Sequence, residues 1–302
     1  MGLGGYLMWT AVAREYVLQQ KRVGCNPLPI LVIPYESVSY LATQLGHLPI
    51  KTDEMIFKGS EVWVHNPRFE KNAMIDYVSF YLMLNDPKTN YCKLDTPERA
   101  KHRYDMHVVR QICNHYKLEP QSIRPELFLT RAEDECVTVL LGDITLKPFV
   151  TIEPHSKQSY TVNRGYPFDK WQRIVDALRS DGITVVQVGI PGERILDGVV
   201  DTTGKTSFRT CAGVIGRASL HLSAEGGLMH AAAAMKTPAV IVVTGYQDPK
   251  MTCYPWNTNI WVKHDDAPCG MKIRCDACHQ AVEVHDECEL IDAARKKLGD
   301  RI

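Results

Sequence analysis

The sequence predicts an α/β protein whose second half is a parallel sheet with helices on both faces. Three observations predict it. From residue 148 on, short apolar runs rich in β-formers alternate with amphipathic stretches at helical spacing. The connections between them are short, which suits strands and helices packed in alternation. Glycines punctuate the joints: Gly182 after a helix, Gly189 and Gly192 after a strand, and Gly226-Gly227 at the mouth of the next helix.

The elements follow in order. Residues 6–20 place Leu7, Ala11, Val12, Tyr16 and Val17 at helical spacing. "LPILVIPYES" (28–37) reads as a buried strand with a proline near each end. "SEVWVHNPRF" (60–69) reads as a strand that turns at Asn66-Pro67, and "RYDMHVVRQICNHYKL" as a helix. "DECVTVLLG" and "KPFVTIEPH" read as strands on either side of a change of character near residue 145. Beyond it come the strand "PFVTIEPH", the helix "PFDKWQRIVDALRSDG", the strand "ITVVQVGIPGE" and the helix "SFRTCAGVIGRA". The strand "SLHLSAE", the helix "GGLMHAAAAMKT" and the strand "PAVIVVTGY" complete the series. Sheets of this kind take ligands at the carboxyl ends of their strands.

Composition narrows the function classes. The 35 basic and 35 acidic residues cancel, so a nucleic-acid partner has no electrostatic support. No apolar run approaches the roughly 20 residues of a membrane span. The first residues, "MGLGGYLMWTAVAREY", lack the basic and apolar regions of a signal peptide. The expected location is the cytoplasm, with room for peripheral membrane contact. Of the 10 cysteines, six are scattered and read as small buried hydrophobes. The other four, Cys269, Cys275, Cys278 and Cys288, fall in the order Cys-x5-Cys-x2-Cys-x9-Cys. The Cys-x2-Cys knuckle is a metal-ligand spacing, and four thiolates would close a tetrahedral site for a structural zinc or iron. Cys288 also begins the helix-like "ECELIDAARKKL", which leaves His264, His279 or His285 as alternative fourth ligands.

The stretch "LSAEGGLMHAAAAMKTPAVIVV" sets an acid and two glycines between a strand and a helix. Glycine lets a ligand approach the backbone, and the unpaired N–H groups of a first helical turn suit a phosphate. The same stretch, "SAEGGLMHAAAAMKTPAVIVVTGY", resembles the donor-binding signature of glycosyltransferase family 9, the ADP-heptose:lipopolysaccharide heptosyltransferases. Glu225, Gly227, His230, Ala232, Ala233, Pro238 and Gly245 fall into that pattern. "TIEPHSKQSYTVNRGYPFDKWQRIVDAL", "VVQVGIPGE", "DTTGKTSFRTCAGVIGRASLHLSAE" and the N-terminal "GLGGYLMWTAVARE" resemble further stretches of the family in the same order.

The resemblance implies a GT-B fold: two Rossmann-like domains with parallel sheets facing a cleft. Residues 1–147 would be the acceptor side, with a first strand missing ahead of the N-terminal loop. Residues 148–302 would bind the nucleotide sugar and carry the cysteine-rich segment 269–288. It further implies inverting transfer of a sugar, by default heptose from ADP-heptose, without a catalytic metal. The acceptor would be a glycan, a lipid-linked saccharide or a protein, as in lipopolysaccharide biosynthesis. Arg164 stands where the family places a phosphate-binding lysine, and Lys157 is a second cation or a solvated loop residue. Glu193, in the turn that begins at Gly189, matches an acid for the ribose hydroxyls. Thr206 or Ser207 caps a helix near the ligand. Glu225 is expected to hydrogen-bond sugar hydroxyls while the Gly226-Gly227 N–H groups hold phosphate. His230 contacts phosphate or braces the loop. The family's catalytic aspartate falls at Gly5, and glycine cannot act as a base. Glu36 in "PYES" and His65 in "VHNP" are the candidate substitutes. Three other readings stand beside this one: a sugar-nucleotide epimerase on the same fold, a nucleotide-sugar or glycan-binding protein without turnover, and a metal-finger nucleic-acid module, which zero net charge and the spread of the motifs disfavour.

Overall fold

The computed structural model describes residues 3–27, 30–33, 61–63, 65–68, 78–81, 96–100, 104–192 and 194–299. The chain divides into two compact units, Met1–Asn85 with Val108–Phe128, and Asp86–His107 with Leu129–Ile302.

In the first unit, helix α1 (Leu3–Arg22) buries Leu7, Trp9, Ala11, Val12 and Ala13 and packs on helix α2 (Val108–His115). Gly4 and Gly5 lie inside the first turn of α1 rather than in a loop before it. Strands β1 (Ile30–Ile33) and β2 (Val78–Tyr81) pair in parallel, with Ile30 opposite Val78. The buried Glu15 of α1 accepts from the backbone N–H groups of Gln121 (2.9 Å) and Ser122 (3.3 Å). Arg14 beside it ties the same segment through the carbonyls of Ser122 and Arg124.

From Leu129 on, the second unit begins with helix α3 (Arg131–Leu141), which overturns the strand expected at "DECVTVLLG". Thr130 and Glu133 form a capping box, and Val137 and Leu141 bury one helical face. Glu133 also pairs with the buried Arg209 at 2.5 Å. The strand expected over 60–69 is corrected too. Glu61–Trp63 and Pro67–Arg68 are turns, and the Trp63 indole donates to the Tyr6 carbonyl at 3.2 Å.

A 3₁₀ turn (Gly142–Leu146) leads into the main sheet. Its members are β3 (Phe149–Glu153), α4 (Phe168–Ser180), β4 (Thr184–Gln187), β5 (Val200–Asp201), α5 (Phe208–Arg217) and β6 (Leu220–Ala224). Then come α6 (Gly227–Met235), β7 (Ala239–Thr244), the short α7 (Pro249–Thr252) and β8 (Thr258–Val262). Helices α8 (Asp276–Val284) and α9 (Cys288–Gly299) follow. The six strands are all parallel, in the order β5-β4-β3-β6-β7-β8. Strands buried on both faces explain the continuous apolar runs: every residue of β6 and β7 is buried. Ala231, Ala232 and Ala233 are buried as well, so the alanine run brings α6 close onto β6 and β7. The winding reverses between β3 and β6, and a sheet of this kind binds its ligand where the order reverses.

Candidate functional site

That point lies at the carboxyl ends of β3 and β6, at Glu153 and Ala224. Glu225 is the next residue after β6, and its N–H still pairs with the Val242 carbonyl at 2.9 Å. Gly226 is extended, and no side chain caps the first turn of α6. The N–H groups of that turn are therefore available to an anion.

Facing Glu225 is Arg164, the last residue of a 3₁₀ turn (Val162–Arg164) capped by Thr161. Arg164 Nε lies 3.2 Å from Glu225 Oε2, an ion-pair contact without hydrogen-bond alignment. Arg164 Nη2 donates to Gln247 Oε1 at 3.0 Å. The guanidinium lies 5.3 Å from the ring centroid of Tyr160 and 4.9 Å from that of Tyr246. Burial opposes its charge, yet the Glu225 carboxylate and the surrounding phenols hold its pKa above the ordinary value. The Glu225 side chain is only 5% exposed and that of Arg164 21%, so it is the arginine that an incoming ligand reaches. Glu225 thus sits behind Arg164 as its counter-charge. Held on these sides, the arginine is preorganised, so little of its rotamer entropy, about 2 kcal/mol when free, is left to lose on binding.

His230, one turn into α6, is buried, and its Nδ1 lies 2.7 Å from the Tyr254 hydroxyl. Burial, and secondarily the charge of Arg164, push its pKa down to about 3. The ring is neutral and braces Tyr254, which stacks on Trp256. His221 in β6 is likewise pushed down to about 3 by burial. Unfolding returns both histidines to an ordinary value, so the unfolded chain binds more protons between about pH 3 and 6.5. Stability is therefore full above about pH 6.5 and falls as pH drops toward 3, by up to about 1.4 kcal/mol per pH unit for each ring. Urea midpoints at pH 7.5 and 5.5 should differ accordingly, and His221→Asn should flatten the difference.

The other expected site residues fall as follows. Gly189 takes φ 151° after β4, and its carbonyl accepts from Gly204 N–H at 3.1 Å. Ser207 caps α5, accepting from Thr210 N–H, while Thr206 hydrogen-bonds Cys211. Lys157 is exposed on the loop after β3. His65 is exposed on a turn of the first unit at φ 65°. Glu36 and Glu193 lie outside the described residues. Gln247, Tyr160 and Tyr246 were not anticipated. Gln247 had one usable signal, its place just past the end of β7.

The cysteine segment forms a second centre. His264, Cys269, Cys275 and Cys278 bring one donor atom each within 4.8 Å of one another. His264 Nε2 lies 3.2 Å from Cys278 Sγ, and the sulfurs of Cys269 and Cys278 are 3.4 Å apart. The hydrogen bond with Cys278 lowers the Cys269 pKa to about 6, while the same contact raises that of Cys278. Cys288 is corrected: it is exposed at the start of α9, outside the cluster, and His264 takes the fourth place. His285 is engaged elsewhere, with the Tyr166 hydroxyl and Glu289. Three sulfurs and one imidazole fit a tetrahedral zinc or iron, and a closed shell of four leaves no position for substrate. Gly245 is what makes the arrangement possible. A Cβ there would stand 2.5 Å from His264 Cδ2 and 2.7 Å from its Nε2.

A doubly wound parallel sheet with a half-buried arginine and an uncapped helix at its switch point defines an α/β domain with a candidate ligand site at the carboxyl ends of its strands. Residues 93–280 match the family described as glycosyltransferase family 9 (heptosyltransferase), and the chain belongs to that family. No curated protein sequence matches significantly. Among solved structures, it is similar to a glycosyltransferase family 9 protein from Veillonella parvula, with TM-score 0.65 and 14% identity over 99% of this chain and 95% of that one. The iron-containing dodecameric glycosyltransferase TibC from enterotoxigenic E. coli gives 0.64 and 16%, over 100% and 75%. The E. coli heptosyltransferase WaaC with ADP gives 0.54 and 14%, over 98% and 97%. The fold is thus the GT-B α/β class, and the protein is a glycosyltransferase. Among the described residues, no helix is long and apolar enough to cross a membrane.

Proposed function

We propose that the chain transfers a sugar from a nucleoside-diphosphate donor, ADP-heptose by default, to a hydroxyl of a glycan, a lipid-linked saccharide or a protein, with inversion and without a catalytic metal. The observation that carries this reading is Arg164, fixed by Glu225, Gln247 and two tyrosines at the end of the sheet where the winding reverses. TibC was solved with ADP-D-β-D-heptose and WaaC with ADP, which supports an adenine nucleotide as the donor here.

In this mechanism the acceptor oxygen attacks the anomeric carbon as the bond to the diphosphate breaks. The leaving diphosphate takes the electron pair. Arg164 and the N–H groups of Gly227 and its neighbours offset the charge it gains, the step where a transferase without a catalytic metal most needs positive charge. Glu225 keeps the arginine in place and does not touch phosphate. The acceptor proton goes to a base that we assign to Glu36 or His65. Acceptor binding falls to residues 1–147 and donor binding to 148–302, and a zinc or iron on His264, Cys269, Cys275 and Cys278 serves structure. One observation favours a second reading, donor binding without transfer: Gly5 replaces the expected aspartate and sits inside α1.

Calorimetric titration with ADP-heptose, UDP-sugars and GDP-sugars tests the proposal. ADP-heptose should bind at least about tenfold tighter than the others, a difference of about 1.4 kcal/mol. Indifference to all three would remove the donor assignment. Hydrolysis or transfer of bound ADP-heptose in the presence of acceptor extracts separates transfer from binding alone.

A further inference from the structure

We infer that Asn163 is a positioning residue that couples the His/Cys cluster to Arg164, so that a metal in the cluster tightens nucleotide binding. The inference rests on the donor-site reading above.

Asn163 immediately precedes Arg164 and is 2% exposed. An asparagine side chain offers two donors and two acceptor positions. Here Nδ2 donates to the carbonyls of Met271 (2.8 Å) and Ile273 (2.7 Å), and Oδ1 accepts from the Cys275 N–H (2.8 Å). All three bonds go to the loop between Cys269 and Cys278, and one of them goes to a ligand residue itself. Thr161, the cap of the same turn, also donates to the Met271 carbonyl at 2.9 Å. The Asn163 carbonyl accepts from Thr244 at the end of β7 (2.6 Å). The turn that aims Arg164 is therefore clamped between the sheet and the cysteine loop.

A second route runs through Tyr246. Its ring packs on Cys269 and Cys278 and lies under the Arg164 guanidinium, and its carbonyl accepts from the Gly270 N–H at 2.9 Å.

The loop has little apolar substance of its own. Lys272, Ile273 and Arg274 are exposed, and its other anchors are main-chain bonds: Cys269 N–H to the Gly245 carbonyl (2.9 Å), and the antiparallel bridge between Arg99 and Met271 with its Ala100–Gly270 (2.8 Å) and Lys272–Glu98 (3.0 Å) hydrogen bonds. Metal ligation supplies the order that this segment cannot draw from packing. A loosened loop hands the three Asn163 bonds to water and leaves the Arg164 turn held on one side only. Coupling of this kind is reciprocal: the nucleotide strengthens metal binding by the factor by which the metal strengthens nucleotide binding.

The test uses the full chain with cobalt(II) as the probe metal and ADP as the nucleotide. ADP affinity is measured by calorimetry on the chelator-stripped and the cobalt-loaded protein, and the cobalt absorption bands are followed as ADP is added. Cobalt should tighten ADP by about fivefold or more, and ADP should shift the cobalt bands. In Asn163→Ser and Asn163→Asp, cobalt should still bind one per chain, while its effect on ADP affinity shrinks to the part that the Tyr246 route carries. Equal ADP affinity in stripped and loaded wild-type protein overturns the inference, even if neither variant folds. Coupling that persists undiminished in a folded variant overturns the role of Asn163. Failure of the donor reading looks different, with cobalt bound and ADP bound by neither form, and it removes the inference as well.

Discussion

Replacing Arg164 by alanine should weaken ADP binding by about 100-fold or more, the cost of losing a preorganised charge-assisted contact to phosphate. A second effect accompanies it. Glu225 is 5% exposed, and alanine leaves its carboxylate buried without the arginine. Breaking one side of a buried ion pair typically costs about 3–5 kcal/mol. The two effects separate in a double variant. Arg164→Met with Glu225→Gln removes both charges and keeps the volume, so thermal stability should return most of the way while ADP binding stays lost. Glu225→Gln alone should fold and bind ADP, because the arginine keeps Gln247 and its two rings. Measuring melting temperature and ADP affinity across this set decides the role of Glu225. Loss of ADP binding in Glu225→Gln with Arg164 intact would return the glutamate to direct contact with the donor.

The core sheet was legible in the sequence because β3, β4, β6 and β7 are buried on both faces and are separated by helices with clear stops. Gly182, at φ 80° just past α4, is one such stop. The two-residue β5 carried too little pattern to be seen. Helix α3 reads as a strand because "ECVTVLL" carries the β-branched run Val137-Thr138-Val139, and the Thr130–Glu133 capping box ahead of it is the signal that decides for a helix. The site was legible one residue at a time but not as pairs. Arg164 and Glu225 are 61 positions apart in sequence, and only the parallel crossover brings them to 3.2 Å. That proximity gives Glu225 an arginine as its partner, beside the contact with sugar hydroxyls expected from the sequence. The fourth metal position shows the same gap. Cys288 has the better spacing on paper, but a helix start carries it outward, whereas His264 follows β8 directly back to the end of β7.

Gly245 offers the sharpest test of that cluster. Its Cβ position, 2.5 Å from His264 Cδ2, leaves no room for a methyl group unless the imidazole moves. Gly245→Ala should therefore displace one of four ligands without touching a ligand residue. His264→Ala should do the same directly. Metal affinity in each should fall by about 100-fold, and saturating metal would then stabilise the fold by about 2.7 kcal/mol less than in the wild type. Cys278→Ser, which removes a sulfur shared with both Cys269 and His264, should lose more. Cys288→Ser should retain its metal and its melting temperature. Metal per chain after dialysis against a weak chelator, read beside the melting temperature with and without zinc, gives the answer. A Cys288→Ser protein that loses its metal while His264→Ala keeps it would restore the four-cysteine site. If Gly245→Ala binds metal like the wild type, the imidazole is free to shift by at least the 0.5 Å or so that separates 2.5 Å from the 3.0 Å floor of Cβ contacts.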